Sequence, residues 1–409
     1  MTILSASMDG QCWPSGKNAS YPSFGVSRQA QPLTRLTPEG FFGRIRASAR
    51  APQRKRPTSR PTSYSTVNMT ISVAIIGSGK SAREGHIPAY RRVPQARIVA
   101  IADPDLEKAV SVAKEFGIKG VYDDYAVMLK RRHPDLVSVC TAPSERKNAV
   151  LSALSQGAHI LSDMPMGMTA DEGKAILDAA READRVVAFA APRRFEPRIA
   201  AVREAIVNGD LGRVCLCRTW SRQSTIPADD FWQIKAEIGG GALSVHGHEM
   251  LDLALWLTGD EPVSVSGQLF HRFAESPDFP KSWFGSRREL DAEDLAIALV
   301  RCQESVLSLE ADWLCSTDDF GIHVVGTKGQ SCTSPFRMEV ASKGEFADMT
   351  PTFFPETSAW YEQVQSFIDA SLGHGKPFPR GEEALRVQRI ADAIRQSSRD
   401  RREILLSDK

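Results

Sequence analysis

The chain has 409 residues, 42% of them hydrophobic and 25% charged, which is long enough for two domains with sizeable cores. Its formal charge is +1, but residues 1–70 carry a net +8 (ten Lys or Arg against Asp9 and Glu39), which leaves −7 for the rest. A mildly acidic body argues against nucleic acid as a direct ligand, and no run approaches the length of a membrane span.

Residues 1–68 are rich in Ser, Pro, Arg and Gln and lack apolar periodicity. They cannot bury enough surface to fold alone, so they read as a disordered basic extension. Their acid-poor, Arg- and Ser-rich composition also suits an organelle transit peptide, but no apolar signal-peptide core is present. A compact domain is expected to begin at Met69.

The apolar run Ile71–Ile76 is short and β-branched, so it reads as a buried strand. It ends in GSGKSA, residues 77–82. The end of that stretch suggests an ATP-binding P-loop, but the first glycine of such a loop would fall at Ala74. The turn of a dinucleotide site fits instead. Gly77 turns the chain, Gly79 lets a pyrophosphate approach the backbone, and Ala82 permits close helix–strand packing. Ser78, Lys80 and Ser81 complete the phosphate cradle ahead of a helix N-terminus.

Further strands are expected at Arg97–Ala102, Val121–Tyr122, Asp135–Cys140, Ala158–Ser162 and Val186–Ala190, with helices such as Glu145–Gln156 and Ala170–Ala183 between them. Strand–helix alternation of this kind implies a doubly wound parallel sheet. Asp103 lies 24 residues beyond Gly79 at the end of the second strand. An acid there takes the adenosine ribose hydroxyls, and with Asp105 it would repel a 2′-phosphate, favouring NAD over NADP. The plainer reading of Asp103 is a helix cap. Thr141, Ala142 and Pro143, at the end of the fourth strand, are expected to line the cofactor crevice.

After residue 192 the rhythm changes. A short helix over Ile199–Val207 precedes strands at Val214–Ser221, Val263–Phe270, Leu295–Arg301, Val306–Leu314 and Gly321–Val325. Most alternate apolar and polar residues, as an antiparallel sheet with one covered face would. Trp360, Val364, Phe367 and Ile368 mark one helix face; Leu385, Ile390 and Ile394 mark another. The expected architecture is α/β: an N-terminal Rossmann domain over 69–192, then an α+β domain over 193–409 with a large open, mainly antiparallel sheet. The seven cysteines are scattered, and Cys215-Leu-Cys217 has no zinc-spaced partner, so free thiols in a reducing, cytoplasmic setting are expected.

From about residue 70 to 406 the chain resembles the Gfo/Idh/MocA oxidoreductases. The likeness rests on GSGKSA, His86-Ile-Pro88, the IADPD stretch around Asp103, Gly157 to Met166, Arg193-Arg-Phe195, Gly239 to Leu243, Asp252 to Trp256 and Gly326 to Gly329. It implies hydride chemistry on sugars or cyclitols, a cofactor wall at Asp163, Met164 and Pro165, and a homo-oligomer formed through the second sheet. It also implies a substrate loop holding Trp232 and Lys235.

Two departures matter. The family's Glu-Lys-Pro is Asp163-Met164-Pro165 here, and methionine has neither a proton nor a charge to offer. After the glycines, the family's Asp and His align with Val245 and Glu249, while His246 and His248 flank Gly247. His246-Gly-His-Glu249 reads as a rebuilt acid/base cluster or as ordinary polar groups at a helix start. Glu249 and His248 are the candidate proton carriers, with Met164 and Lys235 beside them, and His246 and Asp252 are candidate substrate contacts. No metal is expected, because Gly247 breaks the strand that would align the two histidines. Arg146 could meet an acidic substrate group or lie on a helix face. The leading reading is an NAD-dependent oxidoreductase of sugar-like polyols. The alternative is a non-catalytic NAD-binding regulator, since regulatory members of the family also carry a large apolar residue at the lysine position, followed by Pro-x-Gly as in Pro165-Met166-Gly167.

Overall fold

The computed structural model describes residues 70–224, 231–272, 290–375 and 379–406. The expected extension, residues 1–68, lies outside the described residues. So do Asp229 and Asp230 of the substrate loop.

Six strands form the first sheet: β1 (Ile71–Ile76), β2 (Ala96–Ala102), β3 (Gly120–Tyr122), β4 (Leu136–Val139), β5 (His159–Ser162) and β6 (Val187–Phe189). All neighbours run parallel in the order β3-β2-β1-β4-β5-β6. The helices between them are α1 (Ile87–Arg91), α2 (Leu106–Phe116), α3 (Tyr125–Arg132), α4 (Pro143–Ser155) and α5 (Ala170–Glu182). Helices on both faces explain why β1, β4 and β6 are buried nearly throughout rather than on alternate residues. Asp124 and Thr169 cap α3 and α5 through side-chain oxygens. The strand order reverses between β1 and β4, so their carboxyl ends open a crevice.

The second sheet has nine strands. They are β7 (Val214–Arg222), β8 (Pro262–Phe270), β9 (Leu295–Cys302), β10 (Val306–Asp312), β11 (Asp319–Gly326), β12 (Gly329–Thr333), β13 (Phe336–Ser342), β14 (Glu345–Asp348) and β15 (Ile404–Leu405). Their order is β14-β13-β12-β11-β7-β10-β9-β8-β15, antiparallel except for the β7–β10 pair. The strands β12 to β15 go beyond the sequence reading. The last two are short, and β14 reads Glu-Phe-Ala-Asp, with no apolar alternation to reveal it.

Around this sheet lie α6 (Pro197–Val207), α7 (His248–Thr258) and α9 (Gly381–Asp400), while α8 (Ala359–Ser371) packs elsewhere. Alternation in β9 turns Ala296, Ala298 and Val300 into a core shared with α7 and α9. Ile297 and Leu299 point the other way and are about half exposed.

The helix α8 returns to the first sheet. Its Val364, Phe367 and Ile368 are fully buried with Ile71, Val73 and Ile75. Each such burial is worth about 1.5–3 kcal/mol. Ala384 of α9 joins the core on the opposite face of that sheet. The end of the chain thus completes the core that its beginning starts. The six described cysteines are free, with Cys217 and Cys302 buried and Cys215 exposed. No described helix is long and apolar enough to cross a membrane.

Candidate active site

The glycine turn sits at the mouth of the crevice. Gly77 has φ +97°, and a Cβ there would stand 2.5 Å from the Cys140 carbonyl oxygen. Only glycine fits both constraints. The amide and hydroxyl of Ser78 both donate to Asp103 Oδ2, at 2.8 and 2.7 Å. Asp103 Oδ1 accepts from the Asp105 amide at 2.9 Å. Asp105, not Asp103, caps α2 through the Lys108 amide. Asp103 therefore ties the turn to the end of β2, as a ribose-binding carboxylate would.

A cavity of 1580 Å³ runs along this wall, lined by Gly77, Ser78, Gly79, Lys80, Asp103, Thr141 and Ala142, among others. Its lining, with the backbone of the glycine turn and the Asp103 carboxylate, has the chemistry that a dinucleotide requires. Ala82 is fully buried behind the turn, and Pro143 packs where a Cβ on Gly239 would stand. The helix after the turn opens as a wide π-turn, Ser81–His86, before continuing as α1.

A second cavity of 320 Å³ shares Gly79, Lys80, Glu84, Cys140, Thr141 and Trp232 with the first, so the two form one cleft. Asp163 and Met164 line it, and the Met164–Pro165 peptide is cis. Asp163 Oδ1 lies 2.9 Å from His86 Nε2 and accepts from Ser81 Oγ at 3.0 Å. The His86 Nδ1 lies 3.0 Å from Ser138 Oγ, which donates to Tyr90 at 3.1 Å. Burial works to raise the Asp163 pKa, but His86, Arg146 and Ser81 outweigh it and hold the carboxyl below its ordinary value. The donor atoms of His86, Cys140 and Asp163 lie within 4.8 Å of one another. The His86–Asp163 hydrogen bond and a thiol that burial and Asp163 keep protonated account for this grouping.

Arg146 also lines this cavity, although only 1% of it is exposed. Its guanidinium donates to the carbonyls of Thr141 and Pro165. Its Nε and the Thr141 hydroxyl are buried with no partner among the described residues.

The opposite wall comes from the second half of the chain. Trp232, Gln233, Ser244, Val245, His248 and Glu249 line it, and α8 contributes Trp360. Residues 246–249 stand at a helix start: a π-turn, Leu243–Gly247, runs into α7. The two histidines therefore diverge. His246 Nε2 accepts from Trp313 Nε1 at 3.0 Å, away from the cleft. The Nδ1 of His248 lies 3.0 Å from the Leu243 carbonyl, an acceptor only, so that nitrogen carries the proton. Burial pushes both rings down to about 3. For His248, Arg395 adds to the depression, while the Leu243 carbonyl and the Gln388 side chain oppose it. Both rings are neutral at ordinary pH.

Glu249 accepts from Arg193 Nε at 2.7 Å, and the same guanidinium reaches Glu196 at 3.3 Å. Burial works against the Arg193 charge, but the two carboxylates outweigh it and raise its pKa. Lys235 lies 3.7 Å from Asp291 and outside the cleft lining. Asp252 is fully buried and bound to Arg194, also outside the lining. The structure thus brings together the glycine turn, Asp103, Thr141, Ala142, Asp163, Met164, Trp232, His248 and Glu249. It does not bring Ala82, Pro143, Pro165, Lys235, His246 or Asp252 into the lining.

Sequence reasoning passed over the roles of His86, Cys140 and Trp360, and left Arg146 open. For Arg146 a signal existed. It is spaced from Ala149, Val150, Ala153 and Leu154 by one helical face, and all are buried. A cation on an apolar stripe in the first turn of a helix, where the dipole favours anions, calls for a reason.

Two sheets joined by a cleft with a dinucleotide cradle on one wall define a dinucleotide-binding oxidoreductase architecture. Residues 71–191 match the GFO/IDH/MocA oxidoreductase family, NAD-binding Rossmann fold, and residues 199–331 match a GFO/IDH/MocA C-terminal domain. The chain belongs to this family of oxidoreductases. It is 25% identical to D-glucoside 3-dehydrogenase of Escherichia coli (strain K12), over 80% of this chain and 95% of that protein. It is also 25% identical to inositol 2-dehydrogenase of Rhizobium meliloti (strain 1021), over 83% and 100%. Among solved structures, an oxidoreductase domain protein from Kribbella flavida matches with a TM-score of 0.73 at 22% identity, over 83% of this chain and 100% of that one. Levoglucosan dehydrogenase in complex with NADH matches with a TM-score of 0.73 at 20% identity, over 82% and 99%.

Proposed function

We propose that the protein oxidises a CH–OH group of a sugar or cyclitol, or reduces the corresponding carbonyl, with NAD as cofactor. The observation that supports this most is the continuous cleft, with the Gly77–Asp103 cradle at one end and Met164, Trp232, His248 and Glu249 at the other. The named relatives that act on glucosides and inositols support the substrate class. Asp103 favours NAD, because a 2′-phosphate would meet its charge.

When bound, the dinucleotide supplies the acceptor for the hydride from the carbinol carbon. The hydroxyl proton must go elsewhere, so two electrons and one proton leave as hydride and one proton leaves to the protein. Glu249 takes it. Its carboxylate lines the cleft and is held in place by Arg193. His248 serves beside it as a neutral ring that fixes the wall. Met164 packs against the reacting groups without charge. Trp232 covers the junction of the two cavities. The outer face of the second sheet, with Ile297, Leu299 and Val306 exposed, is the proposed contact between identical subunits.

A second reading has its own support. Methionine stands where the family's lysine would be, and both histidines of the 246–249 segment are held neutral by burial. Such a cleft suits a protein that senses NAD without turning it over. NAD+ titration followed by nicotinamide absorbance across aldoses, inositols and their keto forms separates the two. Turnover that Glu249→Gln lowers strongly supports the enzyme. Tight NAD+ binding with no turnover across the panel supports the sensor. Turnover unchanged in Glu249→Gln and His248→Ala removes both residues from the mechanism.

A further inference from the structure

We propose that Arg146 supplies the positive charge of the reaction site: its guanidinium, fixed on the carbonyls of Thr141 and Pro165 in the lining it shares with Met164, favours negative charge on the substrate oxygen. The proposal deepens the oxidoreductase reading above and rests on it for the reaction, though not for the charge.

A buried cation is costly, and one in the first turn of a helix also opposes the helix dipole. Arg146 bears both costs on the apolar stripe of α4. Two of its nitrogens donate to the carbonyls of Thr141 and Pro165, just beyond the ends of β4 and β5. Those bonds hold the group rigidly against the cleft wall. The Nε donor has no partner among the described residues, and neither does the Thr141 hydroxyl on the same wall. Buried polar atoms left open in a cleft mark where a ligand completes the network. Burial lowers the Arg146 pKa while Asp163 opposes it, and an arginine starts high enough to stay charged throughout.

The other cations leave this role open. Lys80 lines the cleft but is half exposed and lies 3.9 Å from Glu84. Arg193 is balanced by Glu249 and Glu196. Lys235 pairs with Asp291 outside the lining. Asp163 tempers the field of Arg146, but its Oδ1 is engaged by His86 and Ser81. The charge absent at Met164 is thus present on another residue of the same lining, delivered from a helix rather than a strand end. In a dry pocket such a fixed charge stabilises an oxygen that becomes anionic as its proton leaves.

The test uses the full chain loaded with NADH and compares matched ligands by calorimetry: gluconate against glucitol, and erythronate against erythritol. Wild type is expected to prefer the acid by about tenfold, as a nearby fixed charge in a partly dry site would give. Arg146→Lys keeps that preference and Arg146→Gln loses it, with thermal melting as the control for folding. In turnover, Arg146→Gln lowers kcat by about tenfold or more, and Arg146→Lys recovers part of it. No preference for the acid in wild type, or no binding of either acid, overturns the proposal. Equal loss in the Lys and Gln variants also overturns it, because the guanidinium would then be only a brace. If Arg146→Gln does not fold, wild type and Arg146→Lys still decide. Acid preference without any turnover on the polyol panel supports the charge while removing the oxidoreductase reading.

Discussion

Arg194 grips both carboxylate oxygens of Asp252, at 2.7 and 2.6 Å, with both side chains almost fully buried. It also reaches Glu383 of α9, at 3.0 Å. The pair ties the segment after β6 to α7 and α9. Asp252→Asn leaves a buried guanidinium short of a full partner. We expect a loss of about 3 kcal/mol or more in urea unfolding. The NAD+ affinity of the folded variant should match wild type. A variant with unchanged stability and lost substrate binding would return Asp252 to the site.

Gly77→Ala tests the cradle. The added methyl meets the Cys140 carbonyl at 2.5 Å and sits on a backbone at φ +97°. Strain of about 1–2 kcal/mol adds to that clash. We expect NAD+ affinity to fall by about tenfold or more by calorimetry. Wild-type affinity would mean that the dinucleotide does not use this turn.

Asp103→Ser tests cofactor choice. The substitution removes the charge facing a 2′-phosphate and the acceptor for the Ser78 amide and hydroxyl. The ratio of NAD+ to NADP+ affinity should fall by about tenfold or more, mostly through weaker NAD+ binding. An unchanged ratio would place the ribose elsewhere.

His246 and His248 make stability depend on pH. Burial lowers both from 6.5 to about 3. Between those values the unfolded chain binds more protons than the folded one. Their contribution is therefore complete above about pH 6.5 and is lost as pH falls toward 3, by up to about 1.4 kcal/mol per pH unit for each ring. Urea midpoints should drop between pH 7 and pH 5. A flat profile over that range would show that neither ring is held neutral.

Leu299→Glu tests the outer sheet face. Leu299 is 53% exposed and its neighbour Ile297 46%. A charge at the centre of a subunit contact should shift the protein to smaller species in light scattering, with little change in monomer folding. Identical masses for wild type and variant would remove this face as the contact.

Much of the fold is legible in the residues because short-range patterns produce it. The apolar run Ile71–Ile76, the glycine turn and the following strands show a parallel sheet through period and punctuation alone. The alternation of Leu295–Arg301 shows a one-sided strand. The hairpin of β13 and β14 does not show, because an exposed edge needs no apolar face. The wide turn at Ser81–His86 does not show either, since π and α geometry draw on the same residues.

For the site, the residue types alone determined a dinucleotide turn, an acid at the end of β2, and the absence of a lysine before Pro165. These follow from local chemistry at fixed spacing. Only the tertiary structure decided which polar groups meet the cleft. Two positions separate His248, against the cleft wall, from His246, turned to Trp313, and no local pattern marks that difference. Arg146 reaches the cleft because α4 packs its buried face behind the ends of β4 and β5. Trp360 reaches it because α8 crosses back to the first sheet from the far end of the chain. Side-chain direction and burial depend on what packs against each element, and those partners lie far away in sequence.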